Sequence, residues 1–220
     1  MTLLAVMATA LQGSASICSE LPPEEYFELI NDVWKTMGPI LQKYFGASGR
    51  LAGDRMVRYF FPQPETNYAM NALMCACELK REIRQISKQW QFRENWPREL
   101  YLNIGLHEGP EWLGTFRSDN GIEIAMLGDT IGHATRLSEF ARFGANWASK
   151  DLVGKVLPQE RSRLDFGISR RGEDERDHFV TSSCARLTNL LDSSREDNLR
   201  LREIAVLPIT EIRSVQGVKY

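Results

Sequence analysis

The chain has 220 residues, of which 27 are Lys or Arg and 29 are Asp or Glu, so its formal net charge is −2. Hydrophobic residues make up 43% and charged residues 25%, which is typical of a globular protein and argues against a disordered or fibrous chain. The near-neutral charge argues against a nucleic-acid-binding protein, because such proteins normally carry a basic excess. The length predicts a single domain, 1–220, whose core needs no disulfides.

The cysteines and the N-terminal segment indicate where such a chain works. The four cysteines lack the spacing of a zinc site or a redox pair, and Cys75 and Cys77 are predicted to be small core residues. Free thiols favour a reducing compartment, so we expect a cytoplasmic protein or the cytoplasmic domain of a larger signalling protein. The apolar segment 3–11 has no Lys or Arg before it and is about half of the ~20 residues that a membrane span needs. It is therefore predicted to be a buried strand, and we expect no membrane span.

The hydrophobic pattern of the first half alternates between strand and helix. The predicted elements are, in chain order, a strand (3–11), a loop of small residues (13–22), a helix (23–45), a hairpin (49–61) and a second helix (67–90). The first strand is near-continuously apolar, as in strands covered on both faces or lying under helices. Both helices carry apolar residues at steps of three and four. Gly38 and Pro39 are expected to kink or split the first helix.

The second half predicts more strands and a less regular tail. The predicted elements are strands (101–106, 112–116, 122–127), a helix (131–143), a strand (146–148), a helix capped by Ser149 (to 156), strands (164–169, 204–212), a short helix (184–191) and a charged, solvated loop (173–177). The leading order of strand, helix, hairpin, helix and strand is that of an α+β, ferredoxin-like βαββαβ fold. Such a fold has an antiparallel sheet, which we expect to be covered by helices on one face.

Three segments carry more information than their periodicity. They are RLAGD at 50–54, NIGLHEGPEWLG at 103–114 and LGDTIGHATRL at 127–137. In this order and spacing they resemble the class III adenylate/guanylate cyclase homology domain, and ELPPEE at 20–25 is similar to the start of that family's first helix. The resemblance covers 1–156 and leaves 157–220 as a divergent C-terminal part. It implies the sheet fold of the class III nucleotidyl cyclases.

The resemblance also implies a chemistry. In the family, two protomers pair head to tail and hold ATP or GTP between them. Two ions, Mg²⁺ or Mn²⁺, bind two aspartates, activate the ribose 3′-hydroxyl and neutralise the triphosphate, so that a cyclic nucleotide and pyrophosphate form. The implied partners are therefore a second copy of the chain, or another cyclase domain in a heterodimer.

Carried over position by position, the family's catalytic set is incomplete in this sequence. One metal aspartate matches Asp54, but the other falls on Ala10, or on Thr9 with a one-residue slip, and neither is a carboxylate. The transition-state arginine matches Arg136. The structural interpretations are favoured for both residues, Asp54 as a turn residue and Arg136 as an ion-pair partner.

The nucleotide-selecting positions are altered as well. The two purine-binding positions hold Arg50 and Ala125, and the position of the ribose-orienting asparagine holds Gly132. Arginine is bulkier than the family's lysine, and alanine offers no hydrogen bond to a base. The family's phosphate-binding lysine lies late in the domain, and no residue of the divergent tail can be matched to it.

Other residues near the motifs have structural interpretations. His107 and His133 are expected to be hydrogen-bonded structural groups, since a general base needs a positioned partner. Three motif glycines, Gly105, Gly109 and Gly114, are predicted to serve backbone geometry and close packing. Trp112 and Trp147 are candidates for a subunit interface, where aromatic residues are enriched.

The sequence thus favours a degenerate, catalytically impaired cyclase homology domain that acts as a dimerising or regulatory module in intracellular signal transduction. The first alternative is an active nucleotidyl cyclase, either as a homodimer or only as a heterodimer in which this chain supplies Arg136 and a partner supplies the aspartates. The second alternative is a sensor that binds a nucleotide or another anion in the old cleft.

Overall fold

The computed structural model describes residues 1–52, 54–93, 96–118, 121–171, 176–191 and 196–217. The strands are β1 (Thr2–Leu11), β2 (Ala47–Ala52), β3 (Arg55–Phe60), β4 (Leu102–Ser118), β5 (Gly121–Leu127), β6 (Asn146–Ser149), β7 (Leu164–Arg171), β8 (Asp177–Thr181), β9 (Ala185–Arg186) and β10 (Pro208–Val215). The helices are α1 (Ser14–Glu20), α2 (Pro23–Lys43), α3 (Tyr68–Arg93), α4 (Thr130–Phe140), α5 (Lys150–Lys155) and α6 (Pro158–Arg161). Two short 3₁₀ helices, Leu187–Asn189 and Glu196–Ile204, lie in the C-terminal part.

The main sheet confirms the predicted fold class. Its strand order is β2-β3-β1-β4-β6-β10-β7-β8, with β5 paired to the outer half of β4. Strand β1 is antiparallel to both β3 and β4, so the order β4-β1-β3-β2 is the one that a βαββαβ unit produces. The sheet is mixed rather than wholly antiparallel, because β6 runs parallel to β4.

Helices cover the sheet on both faces, so the prediction of one covered face is wrong. Ala5 and Met7 of β1 pack in the cluster that includes the buried residues of α2 and α3, whereas Leu4 and Val6 pack against Ala134 of α4. Successive side chains of a strand point to opposite faces. A strand that is apolar at every position therefore requires cover on both sides, which α4 supplies on the second face.

Two local predictions in the first two thirds of the chain were wrong, each for a tertiary reason. The loop predicted over 13–22 contains α1, which begins after Gly13 (φ 70°) and is anchored by the buried Ile17. The two strands predicted around Pro110 form the single strand β4, because β1 pairs with it without interruption from Leu102 to Glu111. On its other edge, β6 pairs only with the stretch from Ile104 to Leu106. Pro110 lies beyond that stretch and needs no ladder partner on that side.

The C-terminal part also differs in detail. The helix predicted over 184–191 is β9 followed by a 3₁₀ turn, and the last strand begins at Pro208 instead of residue 204. Positions 173–175 of the predicted charged loop lie outside the described residues, and Asp177 already belongs to β8. Ser149 caps α5 as predicted, since its side chain accepts a hydrogen bond from the Leu152 amide.

Helix α2 is continuous through Pro39, so the predicted split does not occur. Cys75 and Cys77 are buried in α3, as expected of small core residues. Among the described helices, none combines the length and the apolar character that crossing a membrane requires.

Candidate functional site

The end of β1 meets the hairpin formed by β2 and β3. Ala10 pairs with Arg55 of β3 on one side and with Asn103 of β4 on the other, and the Leu11 amide donates a 3.4 Å hydrogen bond to the Asp54 carbonyl. By strand alternation Ala10 shares the α4 face of the sheet with Val6 and Ala8. The last residue of β1 on the α4 face, one position before the Leu11 contact with Asp54, is therefore an alanine.

Thr9 lies on the opposite face of β1. It is 2% exposed, and its hydroxyl donates to the Met56 carbonyl at 3.5 Å. Thr9, the alternative that a one-residue slip would give, is thus a buried hydroxyl on the face opposite Ala10. No residue of β1 is a carboxylate.

The Asp54 carboxylate faces the beginning of α1. Ser14 donates a hydrogen bond of 2.6 Å to Asp54 Oδ2. Burial, and secondarily the charge of Asp54, raises the pKa of the Tyr26 phenol, which lies near the same carboxylate. Within the described parts of the chain, no group of three or more His, Cys, Asp or Glu side chains is placed to hold a metal ion. The partner that the structure shows for the Asp54 carboxylate is thus the Ser14 hydroxyl, and a lone carboxylate holds a divalent cation weakly.

Arg136 lies on α4 between two carboxylates of its own chain. Its Nη1 donates to Glu139 Oε2 at 3.2 Å, and its Nε is 3.6 Å from Glu203 Oε2 in the C-terminal 3₁₀ helix. The Nε atom is buried and makes no hydrogen bond. Arg136 is therefore an ion-pair partner within the protomer, because both neighbouring carboxylates belong to its own chain. Its side chain is 28% exposed.

Glu139 joins α4 to the hairpin. Its Oε1 accepts a 2.7 Å hydrogen bond from Arg55 Nη1, while Oε2 accepts from Arg136. Burial opposes ionisation, but the hydrogen bonds from the two arginines outweigh it and lower the pKa of Glu139. Sequence reasoning missed Arg55, Glu139 and Glu203. Only the Arg136–Glu139 pair had a readable signal, the i,i+3 spacing on a helix.

The remaining sequence-predicted positions are spread over three elements. Gly132 lies on the exposed side of α4, where a Cβ would meet no atom within 4 Å. Arg50 belongs to β2, and Ala125 of β5 pairs with Gly114. The side chains of Arg50 and Ala125 lie outside the described parts of the structure.

The glycines of the β4 motif allow α4 to approach the sheet. A Cβ on Gly105 would lie 2.1 Å from the Ala134 carbonyl oxygen, and one on Gly109 would lie 2.7 Å from Thr130 Oγ1. Gly114 has open space around it, so close packing does not explain that glycine. The two inner glycines are therefore required by the docking of α4.

Two polar side chains of β4 also contact α4. His107 Nε2 and His133 Nδ1 are 3.1 Å apart, so one nitrogen donates and the other accepts. Burial, and then the neighbouring His133, lowers the pKa of His107 to about 4. The fully buried Glu111 accepts a hydrogen bond of 3.2 Å from the Ile131 amide at the start of α4. Both contacts hold the helix to the strand.

The two tryptophans have different environments. Trp112 is 62% exposed on the outer half of β4. Trp147 packs inside the protomer, with its ring centroid 5.0 Å from that of Phe140. Trp147 is nevertheless only half-buried, so an interface position stays a prediction for both tryptophans.

Comparison with known proteins identifies the fold. No family model matches the sequence. A curated adenylate cyclase from Anabaena cylindrica is 22% identical over 177 residues, which are 78% of this chain and 35% of that protein. The chain thus spans about a third of the length of the curated relative that it matches.

Solved cyclase structures superpose on almost the whole chain. The adenylyl cyclase CyaB from P. aeruginosa matches with a TM-score of 0.74 and 16% identity, covering 99% of this chain and 97% of that one. The guanylyl cyclase Cya2 gives the same score and identity over 98% and 93%. The dimeric guanylyl cyclase domain of the RhoGC fusion protein from the aquatic fungus Blastocladiella emersonii gives 0.65 and 13% identity over 98% of each chain. The chain therefore has the fold of the class III nucleotidyl cyclases.

Proposed function

We propose that the chain is a class III cyclase homology domain with an incomplete catalytic set, which acts as a dimerising, regulatory module of a signalling protein. The observation that carries this proposal is the position of Ala10 beside the Asp54 turn, with Thr9 buried on the other face. The proposal takes 1–220 as one domain, since β10 and β7 extend the sheet that contains β1.

The donor set at this position does not fit a pair of metal ions. Displacement at phosphorus with two metals requires hard oxygen ligands that bridge and neutralise both ions. Asp54 supplies one carboxylate, and Ser14 already donates a hydrogen bond to it. A methyl group at position 10 supplies no ligand. The protomer alone therefore lacks the charge that would hold the two ions of the family.

The other positions support the same proposal. Arg136 is paired with Glu139 and lies near Glu203 of its own chain. Ala125 and Gly132 have no side-chain group that hydrogen-bonds a base or a ribose. Each change weakens a separate requirement of the family's reaction, so restoring one of them is not expected to restore turnover.

An apolar surface is available for a second copy of the chain. Trp112 and Leu127, which pair directly on β4 and β5 and therefore lie on one face, are 62% and 60% exposed. Exposed aromatic and aliphatic residues on adjoining strands are characteristic of interaction surfaces. We infer that this surface contributes to a homodimer; one guanylyl cyclase domain to which the chain is similar is itself a non-canonical dimer.

The cyclase assay tests the proposal directly. The purified chain is incubated with ATP or GTP and Mn²⁺, and the cyclic nucleotide and pyrophosphate are quantified. We expect no product above the protein-free blank, for the wild type and for the single variant Ala10→Asp. Formation of cyclic nucleotide by the wild type would overturn the proposal in favour of an active cyclase.

The heterodimer alternative has its own support, because Arg136 is retained and 28% exposed. Mixing the chain with a cyclase protomer that keeps both aspartates but lacks its arginine tests it. Activity that appears on mixing and disappears with Arg136→Ala would establish this chain as the arginine donor.

Sedimentation velocity tests the dimer. We expect a concentration-dependent dimer that weakens in Trp112→Ser, with unchanged thermal unfolding. A wild type that stays monomeric at all concentrations would contradict the dimerising role.

A further inference from the structure

A cleft of about 370 Å³ lies between the beginning of α3 and the short helix α6. Its walls come from the segment 64–67, from the first two turns of α3, and from Leu157 and Glu160. Met70 of this wall belongs to the core cluster formed with α2, whereas α4 packs on the other face of the sheet. The cleft therefore lies on the face of the sheet away from α4 and Arg136.

One wall of the cleft is apolar and rich in sulfur. Met70 and Met74 lie one turn apart on α3, and Leu157 lines the cleft from the segment between α5 and α6. Met70 is buried, Met74 is half-buried against the core cluster, and Leu157 is exposed. Thioether groups are polarisable and pack favourably against aromatic rings. This wall therefore suits the aromatic or alkyl body of a ligand.

The opposite wall offers an acceptor that nothing in the protomer satisfies. Glu160 Oε2 is buried and receives no hydrogen bond. A carboxylate oxygen that is shielded from water costs free energy unless a donor reaches it. A second carboxylate, the exposed Glu65, lines the same cleft. Of the described residues that form its walls, none is Lys or Arg. The charge and the open acceptor thus favour a cation that donates hydrogen bonds.

The basic side chains next to the cleft bind elsewhere. Arg161 follows Glu160, but its Nη2 donates to two carbonyls at the end of α5, at 3.2 and 3.0 Å. Lys155 Nζ lies 3.6 Å from Oε1 of the buried Glu108. The cations that the chain supplies nearby are therefore directed to other acceptors.

Asn67 joins the two sides of the cleft. Its Nδ2 donates a 2.8 Å hydrogen bond to the Lys155 carbonyl, and its Oδ1 accepts one of 2.9 Å from the Met70 amide in α3. Asn71 Nδ2 donates to Thr66 Oγ1 at 2.9 Å. The walls are thus fixed by bonds within the protomer, and a preformed site costs less free energy to occupy.

We propose that this cleft binds a small organic amine in its protonated form, with the ammonium group at Glu160 and an aromatic or alkyl body against Met70 and Met74. An ammonium group carries three N–H donors, which the Glu160 oxygen can accept, and its charge complements that of the two carboxylates. The inference goes beyond the proposed function and does not rest on it, because a cleft within one protomer requires neither turnover nor a dimer.

Phenethylamine is the probe, and phenethyl alcohol is its uncharged match in size and shape. Each is titrated into the full chain at neutral pH, and binding is followed by NMR of the methionine methyl groups. We expect the Met70 and Met74 signals, assigned with Met74→Leu, to shift saturably. The amine should bind about tenfold more tightly than the alcohol, the size of a hydrogen bond to a charged group.

Glu160→Gln keeps the shape of the side chain and removes its charge. It should weaken binding of the amine about tenfold and leave binding of the alcohol unchanged. The matched control is Glu28→Gln, which breaks the 2.9 Å ion pair with Arg93 elsewhere on the surface and should leave both affinities unchanged.

Two results would overturn the proposal. The first is a wild type that binds the amine no better than the alcohol, or without a shift of Met70 and Met74. The second is a preference for the amine that persists in Glu160→Gln. The comparison of the two probes on the wild type decides the question even if the Glu160 variant fails to fold. Neither result bears on the cyclase assay.

Discussion

Replacing Gly105 by alanine tests whether the β4 motif serves the docking of α4. The added Cβ would lie 2.1 Å from the Ala134 carbonyl oxygen, 2.3 Å from the Ser138 amide nitrogen and 2.7 Å from Leu137 Cβ. All three atoms are backbone or the first side-chain atom, so none can rotate away and α4 must move. Overpacking of this kind costs about 1–3 kcal/mol. Since the three contacts are rigid, we expect the upper end, about 3 kcal/mol.

The assay is thermal unfolding followed by circular dichroism. At about 2–4 °C for each kcal/mol in a chain of this size, Gly105→Ala should lower the Tm by about 6–12 °C. The matched control is Gly132→Ala on the same helix, where a Cβ meets no atom within 4 Å. This control should stabilise the chain by about 0.5–1 kcal/mol, because alanine restricts the unfolded chain. The reasoning is refuted if Gly105→Ala melts together with the wild type.

Two further predictions concern titratable groups and are measured by urea unfolding at two pH values. From pH 7 to pH 5 the wild type should lose about 2 kcal/mol more stability than His107→Gln. The reason is that His107 takes up a proton near pH 6.5 in the unfolded chain. In the folded chain burial and His133 lower the pKa of His107 to about 4, so it stays neutral at pH 5. Equal losses would contradict this. Glu78→Gln should cost about 1–2 kcal/mol at pH 7, since Glu78 accepts hydrogen bonds from Lys43 (2.6 Å) and Tyr44 (2.5 Å). Burial alone would raise the pKa of Glu78, but these hydrogen bonds outweigh the effect of burial and lower the pKa. The stability lost in Glu78→Gln should therefore shrink as the pH falls below about 4.5 towards the folded pKa. A stability loss that is constant with pH would contradict this.

Elements with a strong local pattern were predictable from the sequence. The continuous apolar run predicted β1, and the steps of three and four predicted α2 and α3. Helix α1 was not predictable, because its seven residues carry one buried anchor, Ile17, and follow a glycine whose φ is set by its surroundings. The Gly109-Pro110 pair indicated a break, yet β4 continues through it because β1 holds its other edge.

The apolar run that predicted β1 could not predict which face of the sheet its last side chains occupy. A strand with alternating polar and apolar residues reveals which side chains face the core, and a shift of one residue reverses every side chain. From Leu3 to Ala8 the strand is apolar at every position, so the pattern could not decide between Thr9 and Ala10 as the residue beside Asp54. In the structure, Ala10 pairs with Arg55 next to the Asp54 turn, and Thr9 is buried on the other face of the strand.

In the β4 motif, which carried part of the family resemblance, the residues serve packing more than chemistry. Gly105, His107, Gly109 and Glu111 are every second residue of β4, and all four meet α4, by close approach or by a hydrogen bond. Any chain that docks α4 on this strand in this way is under the same physical constraint, whether or not it turns over a nucleotide. Position 10, at the end of β1, to which the resemblance assigns a metal aspartate, holds a half-exposed alanine. A chain can keep the packing of β4 on α4, and with it the fold, whichever residue stands at such a position.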